Sequence, residues 1–175
     1  KTLGVVGVGG RIGVEVARVA RQGFGMSVVG YDVIDVTDKA RQFGFEVSPT
    51  LERLLEISDI VTIHVPYLSS THHLIDGARI RRMKKGSVLI NTSRGDLVDG
   101  KALLAAVKEE RIAGAGLDVF HDEPPKEDWE KELAAIQGGR IVCTPHIGAQ
   151  TVECQRLESV IVAEEVVKLM ERGAG

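Results

Sequence analysis

Short uninterrupted apolar runs alternate along this chain with stretches whose apolar residues recur at helical spacing, a pattern that predicts strand and helix in turn. Leu3-Gly4-Val5-Val6-Gly7-Val8 reads as a strand buried on both faces, and Ile12 to Arg21 as a helix with Ile12, Val16, Val19 and Ala20 at helical intervals. Ser27 to Tyr31 is a second strand. A short helix near Asp35 to Phe43, a brief strand at Glu46-Val47 and a helix from about Thr50 to Glu56 follow. Thr50, directly after Pro49, is the expected N-cap of that helix. Ile60 to Val65 is a long apolar strand cut off by Pro66. Val88-Leu89-Ile90 is the next strand, followed by a helix from about Gly100 to Glu109. Ile112 to Leu117 and Arg140 to Cys143 complete the strands, and a long helix from about Thr151 to Glu171 stops at Gly173.

Apolar strands separated by helices imply a parallel sheet covered on both faces. Right-handed crossovers then wind it into a doubly wound α/β structure, a single three-layer sandwich expected over residues 1–175. The one stretch of linker-like composition is Asp122 to Asp128, acidic and carrying Pro124 and Pro125.

Composition narrows the function classes. With 25 acidic against 22 basic residues the net charge is −3, so no large basic surface is expected to attract nucleic acid or an anionic membrane. No apolar run approaches the roughly 20 residues that span a bilayer, and no signal-peptide pattern opens the chain, which favours a cytoplasmic protein. Two cysteines are too few for a disulfide framework; Cys143, in an Ile-Val-Cys run, is expected as a buried reduced thiol, and Cys154 as structural. The first residue is Lys1 rather than Met, which fits an excised piece.

The first strand runs directly into Gly7-Val8-Gly9-Gly10-Arg11-Ile12-Gly13 and then a helix. In a Rossmann dinucleotide site one glycine permits the tight turn, one lets the backbone approach a pyrophosphate, and one lets helix and strand pack closely. The helix N-terminus adds unpaired N–H groups and partial positive charge. Asp32, at the end of the second strand and about 20 residues beyond the turn, is placed to accept hydrogen bonds from an adenosine ribose. A carboxylate there repels a 2′-phosphate, and Val33 follows in place of an arginine, so NAD is expected over NADP. The glycine spacing departs from Gly-x-Gly-x-x-Gly. Either Gly7, Gly9 and Gly13 are spaced one residue too widely, or Val8 occupies the first glycine position; in both cases the turn carries an extra residue.

Arg11-Ile12-Gly13, Gly30-Tyr31-Asp32, His64-Val65-Pro66, Asn91-Thr92-Ser93-Arg94-Gly95, Gly116-Leu117-Asp118-Val119-Phe120, Glu123-Pro124-Pro125 and Thr144-Pro145-His146-Ile147-Gly148-Ala149 occur in one order. Together they resemble the NAD-binding domain of the D-isomer-specific 2-hydroxyacid dehydrogenases along essentially the whole chain. Within the family the likeness is greatest to the D-3-phosphoglycerate dehydrogenases, notably over Asp32 to Ala40 and Glu123 to Glu153. A second extra residue falls within Arg21-Gln22-Gly23-Phe24-Gly25-Met26. By that resemblance the family's substrate-binding domain, built from segments before and after this one, is expected to lie outside this sequence.

The resemblance implies a division of labour. His146 would be the acid/base, Glu123 the carboxylate that orients it and favours its protonated form, and Arg94 the guanidinium that holds a substrate carboxylate through its bidentate fork. It implies Arg11 and Ile12 at the pyrophosphate, Asp32 at the ribose, and Val65 and Pro66 beside the adenosine. Thr92, Ser93 and Arg94 fall toward the nicotinamide, with Asp118 at its amide and Gly148 and Ala149 near the ring. Without the resemblance, His146 reads equally as a structural or solvent-exposed histidine, Arg94 as a surface charge and Asp118 as a strand-end acid. His64, His72, His73 and His121 show no metal-ligand spacing and read as edge or surface residues. The functions left open are an oxidoreductase of 2-hydroxy and 2-oxo acids, a module that holds NAD(H) without turnover, and a corepressor-like NAD-sensing domain. A homodimer is the assembly the family implies.

Overall fold

The computed structural model describes residues 1–136 and 138–173. These form two units, Lys1–Pro145 and His146–Gly175. All seven strands lie in the first: β1 (Thr2–Val6), β2 (Ser27–Tyr31), β3 (Glu46–Val47), β4 (Ile60–Ile63), β5 (Val88–Asn91), β6 (Gly114–Leu117) and β7 (Ile141–Cys143). They pair in the order β3-β2-β1-β4-β5-β6-β7, and every pairing is parallel. Six helices connect them: α1 (Arg11–Phe24), α2 (Thr37–Phe43), α3 (Leu51–Ile57), α4 (Gly77–Arg82), α5 (Gly100–Lys108) and α6 (Asp128–Ala134). The second unit opens with a bend at His146 and a turn closed between Ile147 and Gln150, and continues as α7 (Val152–Gly173).

The expected doubly wound sheet is therefore present, with its winding reversing between β1 and β4. One apolar cluster, with Val5, Ala17, Ala20, Val28 and Phe45, packs α1 and α2 on the sheet. A larger one, with Leu54, Leu55, Ile63, Ile80, Leu89, Leu103 and Leu133, gathers α3 to α6. Chains leaving β1 and β4 in opposite directions open a crevice at the carboxyl ends of these strands, where sheets of this type bind ligands. Among the described residues no helix is long and apolar enough to cross a membrane.

Several boundaries shift. β1 stops at Val6 and β4 at Ile63, the N–H groups of Gly7 and His64 making a last bond each, to the Tyr31 and Val6 carbonyls, before the chain turns away at the crevice; β6 begins at Gly114 rather than Ile112. Thr50 caps α3 as expected, its hydroxyl accepting the Arg53 N–H at 3.1 Å. Two helices were not anticipated, α4 and α6. The second of these overturns the linker reading of Asp122 to Asp128, since the segment is pinned. The carboxylate of Glu130, fully buried in α6, accepts the backbone N–H groups of Asp122, Lys126 and Glu127 at 3.0, 3.0 and 3.1 Å. Cys143 is exposed rather than buried, because β7 is a three-residue strand at the sheet edge.

Candidate functional site

A cleft of about 480 Å³ opens at the β1/β4 crevice, within the roughly 300–1,000 Å³ range of small-molecule sites. The glycine turn forms one side of it. Gly7 leaves β1 with φ +85°, a conformation that side chains disfavour, and a Cβ there would lie 2.6 Å from the His64 carbonyl oxygen. A Cβ on Gly13 would lie 2.1 Å from the Gly7 oxygen, so the first turn of α1 rests directly on the strand exit. Gly7 and Gly13 thus hold the outer positions of the turn, and the extra residue is accommodated between them, at Gly9-Gly10. Gly10 is the N-cap of α1 and has no side-chain capping bond. The first-turn N–H groups of Arg11, Ile12 and Gly13 have no partner four residues back, which makes this terminus suited to an anion. The second extra residue is absorbed at the other end of α1. There Gly25 takes the left-handed conformation (φ 62°), and the Gly25 and Met26 N–H groups close onto the Arg21 and Ala20 carbonyls.

Asp32 faces the turn from the end of β2. Its Oδ2 accepts the Gly9 N–H at 2.8 Å, and its Oδ1 accepts the N–H groups of Val33 and Ile34 at 2.8 and 3.4 Å. The carboxylate is fixed at the mouth of the cleft, half-buried, with lone pairs to spare for a diol. Val65 and Pro66 line the opposite wall. The remaining lining includes residues that local pattern did not single out: Leu51, Glu52, Leu68, Leu74 and Arg79. Glu52 and Arg79 form an ion pair at 2.9 Å, and Arg79 also donates to the Leu74 carbonyl at 2.9 Å. Apolar walls with a few oriented polar groups suit a purine and its ribose. His64, beside them, hydrogen-bonds Thr62 Oγ1 at 3.0 Å, and burial pushes its pKa below the ordinary histidine value.

Farther along the same sheet edge, Thr92, Ser93 and Arg94 follow β5. Buried Asn91 shapes their turn: its Nδ2 donates to the Arg94 carbonyl at 2.8 Å and its Oδ1 accepts the Ser93 N–H at 3.1 Å. Ser93 Oγ donates to the Ile63 carbonyl at 2.8 Å, tying the turn to β4. The Arg94 side chain is exposed, with Nη1 donating to the Ser93 carbonyl at 2.6 Å. Asp118 follows β6; it is buried, its N–H donates to the Asn91 carbonyl at 3.0 Å, and its carboxylate accepts the Thr144 hydroxyl.

Glu123 lies on the loop after β6, where its Oε1 accepts the Phe120 N–H at 3.3 Å. That loop is joined to the Arg94 turn. A Cβ on Gly95 would come within 2.2 Å of the Phe120 carbonyl group, and the His121 ring pairs with Asp96. Hydrogen bonding to Asp96, chiefly, raises the His121 pKa. The first unit therefore brings together the glycine turn, Asp32, Val65 and Pro66 at the cleft, and Arg94, Asp118 and Glu123 farther along the carboxyl edge. His146, Gly148 and Ala149 belong to the second unit, where His146 takes φ 53° and the Ile147 carbonyl accepts the Gln150 N–H.

Comparison with known proteins supplies a family. The sequence model of the D-isomer specific 2-hydroxyacid dehydrogenase NAD binding domain matches residues 1–148. A D-3-phosphoglycerate dehydrogenase of Methanocaldococcus jannaschii is 41% identical over 170 residues, 97% of this chain and 31% of that protein. A glyoxylate reductase of Korarchaeum cryptofilum is 46% identical over 168 residues, 95% of this chain and 48% of that protein. Among solved structures, the NAD-complexed D-isomer specific 2-hydroxyacid dehydrogenase of Lactobacillus delbrueckii ssp. bulgaricus superposes with a TM-score of 0.86. It is 31% identical, over 97% of this chain and 53% of that one. The chain thus spans between about a third and half of the length of such relatives.

Proposed function

Because the chain belongs to the D-isomer specific 2-hydroxyacid dehydrogenases, as their NAD-binding domain, we propose that its cleft holds NAD(H) for oxidoreduction of a D-2-hydroxy acid and its 2-oxo partner. The observation that carries this reading is the cleft itself, bounded by the Gly7–Gly13 turn, Asp32 and an apolar wall. The α1 N-terminus and the glycine backbone would take the pyrophosphate, Asp32 the adenosine ribose, and Val65, Pro66 and Leu74 the adenine side. Bound NAD supplies the ring that accepts or gives the hydride. Arg94 would hold the substrate carboxylate, His146 would exchange the hydroxyl proton, and Glu123 would favour the imidazolium. The D-3-phosphoglycerate/3-phosphohydroxypyruvate pair is the substrate proposed for the full-length protein, and a homodimer its assembly.

Titration with NADH, followed by its fluorescence, tests the reading. Saturable binding tighter than that of NADPH is expected. Asp32→Ala should weaken NADH by about 30-fold or more, the equivalent of about 2 kcal/mol for lost bonds to a charged acceptor. No saturable binding at millimolar NADH would overturn it. Turnover with 3-phosphohydroxypyruvate, hydroxypyruvate and glyoxylate then separates an active enzyme from the second reading, an NAD-holding module.

A further inference from the structure

The lengthened glycine turn is held by a side chain from outside the motif. Gly9 and Gly10 carry no side chains and so have more backbone freedom than any other residue pair. Yet their polar groups have partners. The Gly9 N–H donates to Asp32 Oδ2 at 2.8 Å, the Gly10 N–H donates to the Gly7 carbonyl at 3.2 Å, and the Gly9 carbonyl accepts from the ammonium of Lys39 on α2. Lys39 is half-buried and reaches this carbonyl across 30 positions of chain. A flip of the Gly9–Gly10 peptide would break the Lys39 and Gly7 bonds together. It would also swing a carbonyl dipole from the ammonium toward the turn's other face, where a pyrophosphate needs N–H groups.

We infer that Lys39 is a positioning residue for the dinucleotide, holding the Gly9 carbonyl while Asp32 holds the Gly9 N–H. The inference rests on the NAD-binding reading above. The pair fixes Gly9 from both sides, so the extra residue neither bulges into the cleft nor draws Asp32 away from the ribose. In this role Lys39 acts through the backbone. Its charge also adds to the positive potential of the α1 N-terminus.

The test uses Lys39→Met, which keeps length and removes the charge and donor, and Lys39→Arg, which keeps both. Each is titrated with NADH and with ADP-ribose, which lacks the nicotinamide. Lys39→Met is expected to weaken both ligands by the same factor, about tenfold for one charge-assisted bond. Its thermal midpoint should stay with the wild type's, and Lys39→Arg should recover most of the affinity. In an Asp32→Ala background, Lys39→Met should cost much less, because the other side of Gly9 is already released. The inference is overturned if Lys39→Met binds both ligands within twofold of wild type, if only NADH is weakened, or if the double variant's losses multiply. Wild-type protein that fails to bind either ligand would instead overturn the NAD-binding reading on which the inference depends.

Discussion

Replacing Glu130 by glutamine should destabilise the first unit far more than any surface charge change, because this carboxylate organises the loop that carries Glu123. It is fully buried, and its two oxygens accept three backbone N–H groups. Oε1 accepts that of Asp122, and Oε2 those of Lys126 and Glu127, all at 3.0–3.1 Å. In Glu130→Gln one oxygen becomes an NH₂ group. If the remaining oxygen keeps its partners at Lys126 and Glu127, the Asp122 N–H faces a donor; in the other orientation two N–H groups do. Hydrogen bonds to a charged group contribute about 1.5–3 kcal/mol each, and a buried unsatisfied donor costs about 1–3 kcal/mol. Losing the charge on the surviving bonds and one bond outright sums to about 3 kcal/mol after loop relaxation. For a unit near 150 residues this lowers Tm by about 6–12 °C. Urea denaturation followed by Trp129 fluorescence measures it, the indole being packed over Gly100 next to the substituted residue. Glu132→Gln is the control, since the exposed Glu132–Lys108 pair should contribute only about 0–1 kcal/mol. A Glu130→Gln loss no larger than the control's would refute the argument that the loop hangs on this carboxylate.

Gly13→Ala should destabilise by about 2 kcal/mol despite alanine's better helix propensity, because its Cβ would meet Gly7 backbone at 2.1 Å. Thermal melting at the wild-type temperature would show that the turn does not need the close contact. His121, its pKa raised by the Asp96 hydrogen bond, contributes stability that is fully present below the unfolded value of about 6.5 and is lost as pH rises through the folded pKa. NMR titration of its ring should show Asp96→Asn lowering that pKa, and an unchanged titration would dismiss the pair. The group is half-exposed, so the accompanying stability change is small.

The legible parts of the site were those set by backbone demands within one stretch of chain. Gly7 and Gly13 announce a strand exit and a close helix contact, and Asp32 follows at the end of the next strand; all three sit in the structure where those demands place them. The cleft's outer walls were not legible, because Leu51 and Glu52 of α3, Leu74 of the loop before α4 and Arg79 of α4 meet only through the tertiary fold. Helix α4 leaves no mark in the apolar pattern because it has six residues and buries only Ile80, too short a run for a period to show. Its one local mark was Asp76, whose carboxylate caps the Arg79 N–H at 2.8 Å. Helix α6 was hidden for a different reason. One of its buried residues is Glu130, so a polar letter occupies a core position, and the acid- and proline-rich segment before it looks unstructured until that carboxylate is in place. Cys143 runs in the opposite sense: an apolar triplet points to the interior, but the outermost strand of a sheet has only one neighbour.

The same geometry bears on how the candidate catalytic groups of the first unit would act. Arg94 and Glu123 lie on different loops, after different strands, and their side chains are exposed. Independent mobility of such loops would spoil the orientation that a two-point reaction requires, since small displacements of positioned groups cost large factors in rate. Three features remove that independence. Asn91 closes the Arg94 turn from beneath, the lack of a side chain at Gly95 lets that turn rest on the Phe120–His121 backbone, and Asp96 pairs with His121. The Glu123 loop is in turn anchored at its far end by Glu130. Exposed side chains are thus carried on backbone fixed at both ends. The Gly95 contact is backbone against backbone and survives any titration, whereas the His121 pair weakens as the imidazole loses its proton. Raising the pH through the His121 pKa should therefore loosen one restraint on the Glu123 loop while leaving its seat on Gly95 and its anchor at Glu130 intact. Amide exchange should accordingly quicken, after correction for intrinsic rates, around Phe120 and His121 but not at Asn91, Ser93 or Asp122, whose N–H stays on Glu130; equal quickening at all five would mean that the two loops open as one body.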